Sequence, residues 1–428
     1  MHRLRLNNRQ PAIGRYDATA GIGCSPQVLV SILANYSHLV SQGIAASVVV
    51  ALLLALTGCG MFGGDEEVNA PAELVKYKPT LRIKKAWSQK LGDGSEHLRL
   101  ALGAASDGTH IYAASHNGRV FSLSAEKGKK QWLKKTKLPL SAGPAVGHNV
   151  VALGSSNGDV IALDSADGHE LWRTTVSSEV LAAPALTADL VLVRTVDGKL
   201  IALDIDDGAQ AWFVQQSVPR LSVRGTGEPV VVGNVVICGF DNGKLAAYDL
   251  GDGSLMWDVL LSPPSGRTEV DRLSDINASI RIVGDDVYVV GYQGSLAALA
   301  VESGQVLWSR EISSHSGIGV DLNNLYVSRD DSDLLALTRR NGQEMWRQDS
   351  LSYRDITGPT PFGSSVVVGD FDGYLHWFDT ATGVLQERVR AGGGRITTPP
   401  FVVNEMLYVV TDDGKLYAFK DRTRKDKS

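Results

Sequence analysis

The 428-residue sequence is short of cysteine, of surplus cations and of long apolar stretches, and each shortage excludes a class of protein. Three cysteines, at positions 24, 59 and 238, are too few for a disulfide framework. The longest uncharged apolar run, residues 43–56, has 14 residues, whereas a membrane-spanning helix needs about 20. Lys and Arg number 42 against 47 Asp and Glu, so no global basic field exists to hold nucleic acid. The nine histidines are scattered, and none falls in an H-x-x-x-H or H-x-x-E-H spacing. The calcium-loop spacing D-x-[DN]-x-[DN]-G-x₅-E is missing as well. With 43% apolar and 21% charged residues, the chain is neither disordered nor a multi-span membrane protein. What it has in excess is glycine, 45 residues or about one and a half times the usual ~7%, and eight tryptophans in regular positions.

The apolar run 43–56 has the length of a signal-peptide core. It ends in Leu56-Thr57-Gly58-Cys59, with small residues before a cysteine, and resembles the bacterial lipoprotein lipobox. The resemblance implies cleavage after residue 58, diacylation of Cys59 and a third acyl chain on its new amino group. Two or more acyl chains hold a protein stably on a membrane, at about 0.8 kcal/mol per buried CH₂. The leader is irregular, because Arg3, Arg5, Arg9 and Arg15 lie far upstream of the apolar core that a basic segment normally adjoins. Either translation starts later than Met1 or the leader is unusual. Cys24 has no apolar run before it and is no second lipobox. The leader 1–58 carries four Arg and one Asp, so residues 59–428 keep 38 basic and 46 acidic groups, a net charge of −8. Residues 59–80, beginning with the lipidated cysteine, read as a flexible tether. Gly60, where an acidic residue would favour inner-membrane retention, points by the sorting pattern of such lipoproteins to the outer membrane, with the protein on its periplasmic face.

An internal repeat sets the architecture. Asn117–Trp132 reads NGRVFSLSAEKGKKQW, Asn157–Trp172 reads NGDVIALDSADGHELW, and Asp197–Trp212 reads DGKLIALDIDDGAQAW. The frame recurs at Asn242–Trp257, Gln293–Trp308, Asp331–Trp346 and Asp372–Glu387, and begins again at Asp413, giving eight copies. Five of the eight place Pro fourteen residues before the turn glycine: Pro144, Pro184, Pro229, Pro359 and Pro400. Turn positions lie 40, 40, 45, 51, 38, 41 and 41 residues apart, the period of propeller blades. Each copy reads as four short strands, in the third copy Ala183–Thr187, Leu190–Thr195, Lys199–Asp204 and Ala211–Gln215. One blade alone would expose two apolar faces, so the ring must close. The eighth copy lacks its Trp strand, and Ile83–Leu91 (IKKAWSQKL) is a Trp strand with no copy before it. The expected fold is therefore an all-β, eight-bladed propeller of four-stranded antiparallel blades over residues 81–420, closed by the N-terminal strand. Residues 421–428 form a charged tail. The repeated Trp is expected to pack between blades rather than to form a ligand platform.

The pattern Gly-x-h-x-Ala-h-Asp-x-x-x-Gly-x-x-x-Trp resembles the repeat of eight-bladed quinoprotein propellers. Enzymes of that kind hold pyrroloquinoline quinone and Ca²⁺ beside a vicinal cysteine pair, and this chain has no such pair. Cys238, in Val-Val-Ile-Cys-Gly, reads as a core residue. The Asp-rich turns, such as 330–333 and 412–413, read as hairpin turns rather than calcium loops. No catalytic residue, metal ligand or cofactor is expected, and a quinoprotein-like, PQQ-binding periplasmic enzyme or ligand-binding propeller is the second reading.

Two segments outside the repeat carry a sharper resemblance. Leu221-Ser-Val-Arg-Gly225 is similar to the Leu-Ser-Leu-Arg-Gly loop of the BamB family of outer-membrane assembly factors, with Val223 for a Leu. Thr268-Glu-Val-Asp-Arg-Leu-Ser-Asp-Ile-Asn277 is similar to that family's Glu-Ile-Asp-Arg-Leu-Ser-Asp stretch, with Asn277 for an Asp. The resemblance covers residues 55–420. It implies a non-enzymatic scaffold lipoprotein of the barrel-assembly (BAM) complex that binds the periplasmic POTRA domains of a BamA-type core subunit. Nascent outer-membrane proteins are a second class of partner. Loop lengths point to the same segments. The connectors after Trp212 and Trp257, at 17 and 23 residues, are adjacent and long, and both emerge on one face of the ring. Leu221, Val223, Arg224, Arg267, Arg272 and Leu273 mix apolar groups with arginine, a composition typical of binding hot spots. The expected partner-binding residues are Leu221, Val223, Arg224, Asp271, Arg272, Asp275 and Asn277, and the expected lipidation site is Cys59.

Overall fold

Alternating apolar residues, broken by a turn every few positions, fold the chain into strands too short to make one large sheet. The computed structural model describes residues 69–94, 100, 102–219, 221, 227–263, 276 and 280–423. Asn69 opens one compact unit that runs to the C-terminus. Among the described residues there are eight four-stranded antiparallel sheets. Seven follow one another along the chain: 104–135, 140–175, 185–215, 230–260, 281–310, 318–348 and 360–390, here blades one to seven. The third copy's strands are Ala185–Leu186, Leu190–Arg194, Lys199–Asp204 and Gln210–Gln215, close to the expected limits.

Blade eight joins the two ends of the chain. Phe401–Val403, Met406–Thr411 and Lys415–Asp421 supply three strands, and Ile83–Lys90 supplies the fourth, antiparallel to Lys415–Asp421 with Trp87 opposite Ala418. The pairing continues past the strand. Arg422 donates its backbone N–H to the Arg82 carbonyl at 2.9 Å, and the Thr423 hydroxyl accepts from the Arg82 backbone N–H at 2.8 Å. The start of the charged tail thus belongs to the blade, and residues 424–428 lie outside the described residues.

The core lies between blades rather than within them. Leu153, Ile161 and Leu163 of blade two meet Tyr112, Val120 and Trp132 of blade one in one cluster. Met406, Tyr408 and Leu416 of blade eight meet Ile111, Phe121 and Leu123 of blade one in another. That second cluster closes the ring, so no blade is left with a bare face. The innermost strands are edge strands, which tolerate proline at their start. Pro184, Pro229, Pro359 and Pro400 each immediately precede one.

One device repeats at seven of the eight joints. The outer-strand Trp of one blade lays its ring on a glycine in the last turn of the next blade. Trp87 faces Gly128, Trp132 faces Gly168, Trp172 faces Gly208, Trp212 faces Gly253, Trp257 faces Gly304, Trp308 faces Gly342 and Trp346 faces Gly383. A Cβ on any of these glycines would come within 2.5–2.7 Å of a ring carbon, so the site admits only glycine. Each indole N–H then donates to a backbone carbonyl of the same turn, as Trp172 does to Ile205 at 2.7 Å and Trp257 to Val301 at 2.9 Å. The repeated Trp is thus a blade-to-blade joint, as expected.

The joint between blades seven and eight lacks this device for a topological reason. The outer strand of blade eight comes from the N-terminus, so no turn precedes it and no glycine is there to receive a Trp. Glu387 occupies the slot instead, and the cluster is filled by Trp377, Tyr417, Phe419, Ile83 and the half-buried Leu81. Tyr77, from the segment expected to be a tether, donates its hydroxyl to Glu387 Oε1 at 2.8 Å and accepts the Arg388 backbone N–H at 2.8 Å. The Ala72 N–H reaches the Ser352 carbonyl and the Thr80 N–H the Gln386 carbonyl, each at 2.9 Å. Residues 72–80 therefore lie fixed along blade seven. Residues 59–68 of the expected tether, Cys59 among them, lie outside the described residues.

Candidate partner-binding face

Blade four is the common floor of the two long connectors. The first leaves the outer strand of blade three at Gln215. Gln216 donates its backbone N–H to the Gly198 carbonyl at 2.9 Å and its side-chain amide to the Tyr248 hydroxyl at 2.9 Å. Ser217 accepts from the Asn242 amide at 3.4 Å. The second connector leaves blade four at Leu260. The Leu261 and Ser262 backbone N–H groups both donate to the Gly243 carbonyl, at 3.0 and 3.2 Å. The second connector thus rests on the 240–243 turn of blade four, the first rests on the Gly198 turn of blade three and reaches the same blade-four turn through Ser217, and the expectation that they emerge side by side on one face is met.

Ile276 pins the second connector. It is fully buried among Ile237, Ala247, Val287 and Val289, and its N–H reaches the Phe240 carbonyl at 3.4 Å. Its neighbour below is Gly239, where a Cβ would lie 2.1 Å from the Ile276 carbonyl oxygen. The apolar residue within the Asp-Ile-Asn sequence is therefore an anchor, and its flanking Asp275 and Asn277 lie outside the described residues. So do Val223, Arg224, Asp271 and Arg272, together with Arg267 and Leu273. Leu221 is described and is 45% exposed, a large apolar side chain in water on the connector.

Sequence reading missed the group beneath the first connector. Arg194, at the end of the second strand of blade three, is almost wholly buried. Its guanidinium donates to the Thr195 carbonyl, stands 3.7 Å from Asp241 Oδ2 and stacks at 4.5 Å over the Phe240 ring. A lone arginine ending the apolar run LVLVR carries no sign of burial, because its carboxylate and its ring come from the next blade. Breaking such a buried pair by removing one partner is costly, so it fixes the blade three–four corner on which the connector sits.

A second polar group stitches the same side of blades six to eight. His315 Nδ1 lies 2.8 Å from Asp330 Oδ1, and its Nε2 lies 3.7 Å from Asp355 Oδ1. Arg395 reaches Asp355 Oδ2 at 3.0 Å. Hydrogen bonds to these two carboxylates push the His315 pKa up to about 9. Arg354, buried, holds Asp370 at 2.8 Å and Asp372 at 2.6 Å and donates to the Ala72 carbonyl. These residues link successive connectors to one another. Cys238 is fully buried, and burial pushes its thiol up to about 11, which keeps it protonated and unreactive.

Among the described residues, one group has ligand atoms close enough together for a metal ion: Asp164, Asp167 and His169, in an exposed turn of blade two. Asp164 Oδ1 already accepts the Ala166 and Asp167 N–H groups, and Asp167 Oδ1 accepts the His169 N–H and ring. The carboxylates shape the turn.

The face is thus a rigid floor carrying two long connectors. A family model described as outer membrane protein assembly factor BamB matches residues 116–348 and 339–427. The Pseudomonas aeruginosa protein of that name is 45% identical over 375 residues, covering 87% of this chain and 98% of its own length. The Escherichia coli protein is 34% identical, covering 85% of this chain and 95% of its own. The crystal structure of BamB from Moraxella catarrhalis superposes with a TM-score of 0.74 at 27% identity, over 79% of this chain and all of that one. A quinohemoprotein alcohol dehydrogenase from Comamonas testosteroni, with a TM-score of 0.63 at 14% identity over 79% of this chain and 76% of its own, shares the fold alone. A repeat of this kind, closed by its own N-terminal strand and matched along nearly the whole length of these relatives, makes this chain a member of the family of outer membrane protein assembly factor BamB.

Proposed function

We propose that this chain is a lipid-anchored scaffold of the barrel-assembly complex on the periplasmic face of the outer membrane. As a BamB-family protein it is an assembly factor and not an enzyme. It binds the POTRA region of the BamA-type core subunit through the connectors after Trp212 and Trp257, and aids the folding and insertion of β-barrel proteins by holding that region in place. The observation that supports this reading is the shared floor: two adjacent long connectors, both hydrogen-bonded to the 240–243 turn, with Leu221 exposed on one of them. Function concentrates in loops that a rigid scaffold positions. The partner-binding residues are Leu221, Val223, Arg224, Asp271, Arg272, Asp275 and Asn277, and Cys59 carries the lipid.

Arg224 gives the test. A guanidinium docked on a partner carboxylate makes two parallel hydrogen bonds, and truncation strands that carboxylate. The cost is about 2–5 kcal/mol of binding, or roughly 30-fold or more in affinity. Arg224→Ala should lose co-purification with the core subunit while keeping its melting temperature, and Arg422→Ala should keep both. Normal binding by Arg224→Ala, or its unfolding, would refute the assignment.

A further inference from the structure

The circumference of the ring is not electrically uniform. Residues 76–90 hold Lys76, Lys78, Arg82, Lys84, Lys85 and Lys90 and no acidic residue. Residues 127–137 hold six lysines, at 127, 129, 130, 134, 135 and 137, and again no acidic residue. The fold makes these two segments one patch. Trp87, in the middle of the first, lays its ring on Gly128 in the second and donates to the Ala125 carbonyl at 2.9 Å. Eleven of the twelve cations are exposed, and Lys134 is half-buried. Among the described residues, the one lysine of the set with a carboxylate within 4 Å is Lys134, 3.7 Å from Glu170. The rest of residues 59–428 holds 26 basic against 46 acidic groups, Glu126 beside Lys127 among them, so +12 stands on these two segments and −20 on everything else. The outer strands of other blades are not built this way. Blade two mixes Glu170 with Arg173, and blades three to five present Phe213, Leu255, Met256 and Leu307.

We infer that the outer edge of blades eight and one is an electrostatic docking surface for anionic phospholipid headgroups. Like charges are gathered at a cost in self-repulsion, which an oppositely charged surface relieves. The occupant is identified by where the chain enters, and this identification rests on the proposed lipidation of Cys59. Nine residues separate Cys59 from Asn69, a span of at most about 36 Å over ten steps of the chain. From Ala72 to Thr80 the chain is held to blade seven, and it then becomes the basic edge strand itself. An anchor on so short a leash keeps this edge at high effective concentration next to the bilayer. Basic residues near an anionic surface contribute additively and are screened within about 8 Å at physiological salt.

The test uses the acylated protein from cell envelopes, placed in vesicles of phosphatidylcholine alone or with 30% phosphatidylglycerol, and reads amine acylation at each lysine by mass spectrometry. Lys84, Lys85, Lys130, Lys135 and Lys137 should react at least threefold more slowly on the anionic vesicles and recover in high salt, while Lys199 and Lys244 react equally on both. In parallel, the chain from residue 59 made without acyl chains should float with the anionic vesicles alone. In its K84Q/K85Q/K130Q/K135Q variant the partition should fall by up to about a thousandfold. Equal labelling on both vesicles, or flotation indifferent to the four substitutions, overturns the inference. Protection of the same lysines in detergent-solubilised assembly complexes but not on anionic vesicles would make the edge a protein-docking surface and also overturn it. Failure of the acylated protein to float with neutral vesicles would refute the Cys59 anchor instead, and leaves the unacylated arm to judge the patch.

Discussion

Substituting Gly304 by alanine probes the joint between blades four and five. Gly304 has a φ of +69°, and a Cβ there would lie 2.6 Å from carbons of the Trp257 ring. Two costs add. The left-handed conformation costs a non-glycine residue about 1–2 kcal/mol. Overpacking against a ring already held by its hydrogen bond to Val301 costs a further ~1–3 kcal/mol. Gly233 separates the two. It also lies at positive φ, at +56°, with nothing within 4 Å of where its Cβ would be, so Gly233→Ala carries only the first cost. Urea unfolding followed by tryptophan fluorescence should place Gly304→Ala about 1–3 kcal/mol below Gly233→Ala. Combining Gly304→Ala with Trp257→Leu should recover part of the loss, with a coupling of about 1 kcal/mol or more, since the two residues touch. If the two glycine variants are equally stable, the ring does not need the glycine and the joint has been misread. If the double variant is simply additive, the cost of Gly304→Ala comes from somewhere other than Trp257.

The other tests concern single groups. His315 has a folded pKa raised to about 9, so its protonated form stabilises the link to Asp330 and Asp355, with Arg395 on the far side of Asp355. That contribution is complete below about pH 6.5 and disappears as pH climbs through about 9. The gap in urea midpoint between wild type and His315→Gln should narrow across that window, and a constant gap from pH 6 to 10 would refute the link. Tyr77→Phe removes the hydroxyl shared by Glu387 and Arg388 at a cost of about 1 kcal/mol, and hydrogen exchange over residues 72–80 should accelerate while the blade cores stay protected. The Cys238 thiol should resist aromatic disulfide reagents at pH 8 until denaturant is added, and rapid labelling of the native protein would contradict its burial.

The ring was legible in the sequence because its signals are local and repeated. A turn glycine, a second glycine ten residues on and a Trp four residues later recur in register, and the unpaired Trp strand at 83–91 shows how the ring closes. Polar contacts that cross from one blade to the next were not legible. Arg194 and Asp241 come from different repeats, as do His315, Asp330, Asp355 and Arg395, and nothing in one segment announces its partner. Residues 72–80 read as part of the tether, since no copy of the repeat includes them. Their place on the ring depends on Glu387, some three hundred residues away. At the candidate face, connector length and composition located the two loops, and the structure adds their common floor. Arg224, Asp271 and Arg272 lie outside the described residues.

The departure at Glu387 connects closure to orientation. Every other joint can use a Trp because a turn in the next blade offers a glycine. The closing blade has no such turn, since its outer strand begins near the N-terminus. A Trp at 387 would have no glycine to lie on, and Glu387 is free to take the Tyr77 hydroxyl instead. The segment leading from the proposed anchor is thereby held against blade seven, and the strand after it can leave in only one direction, along the edge of blade eight. The two connectors rest on blade four, across the ring from that edge. In a ring of eight blades the proposed binding face thus stands half a turn from the edge proposed to meet the membrane.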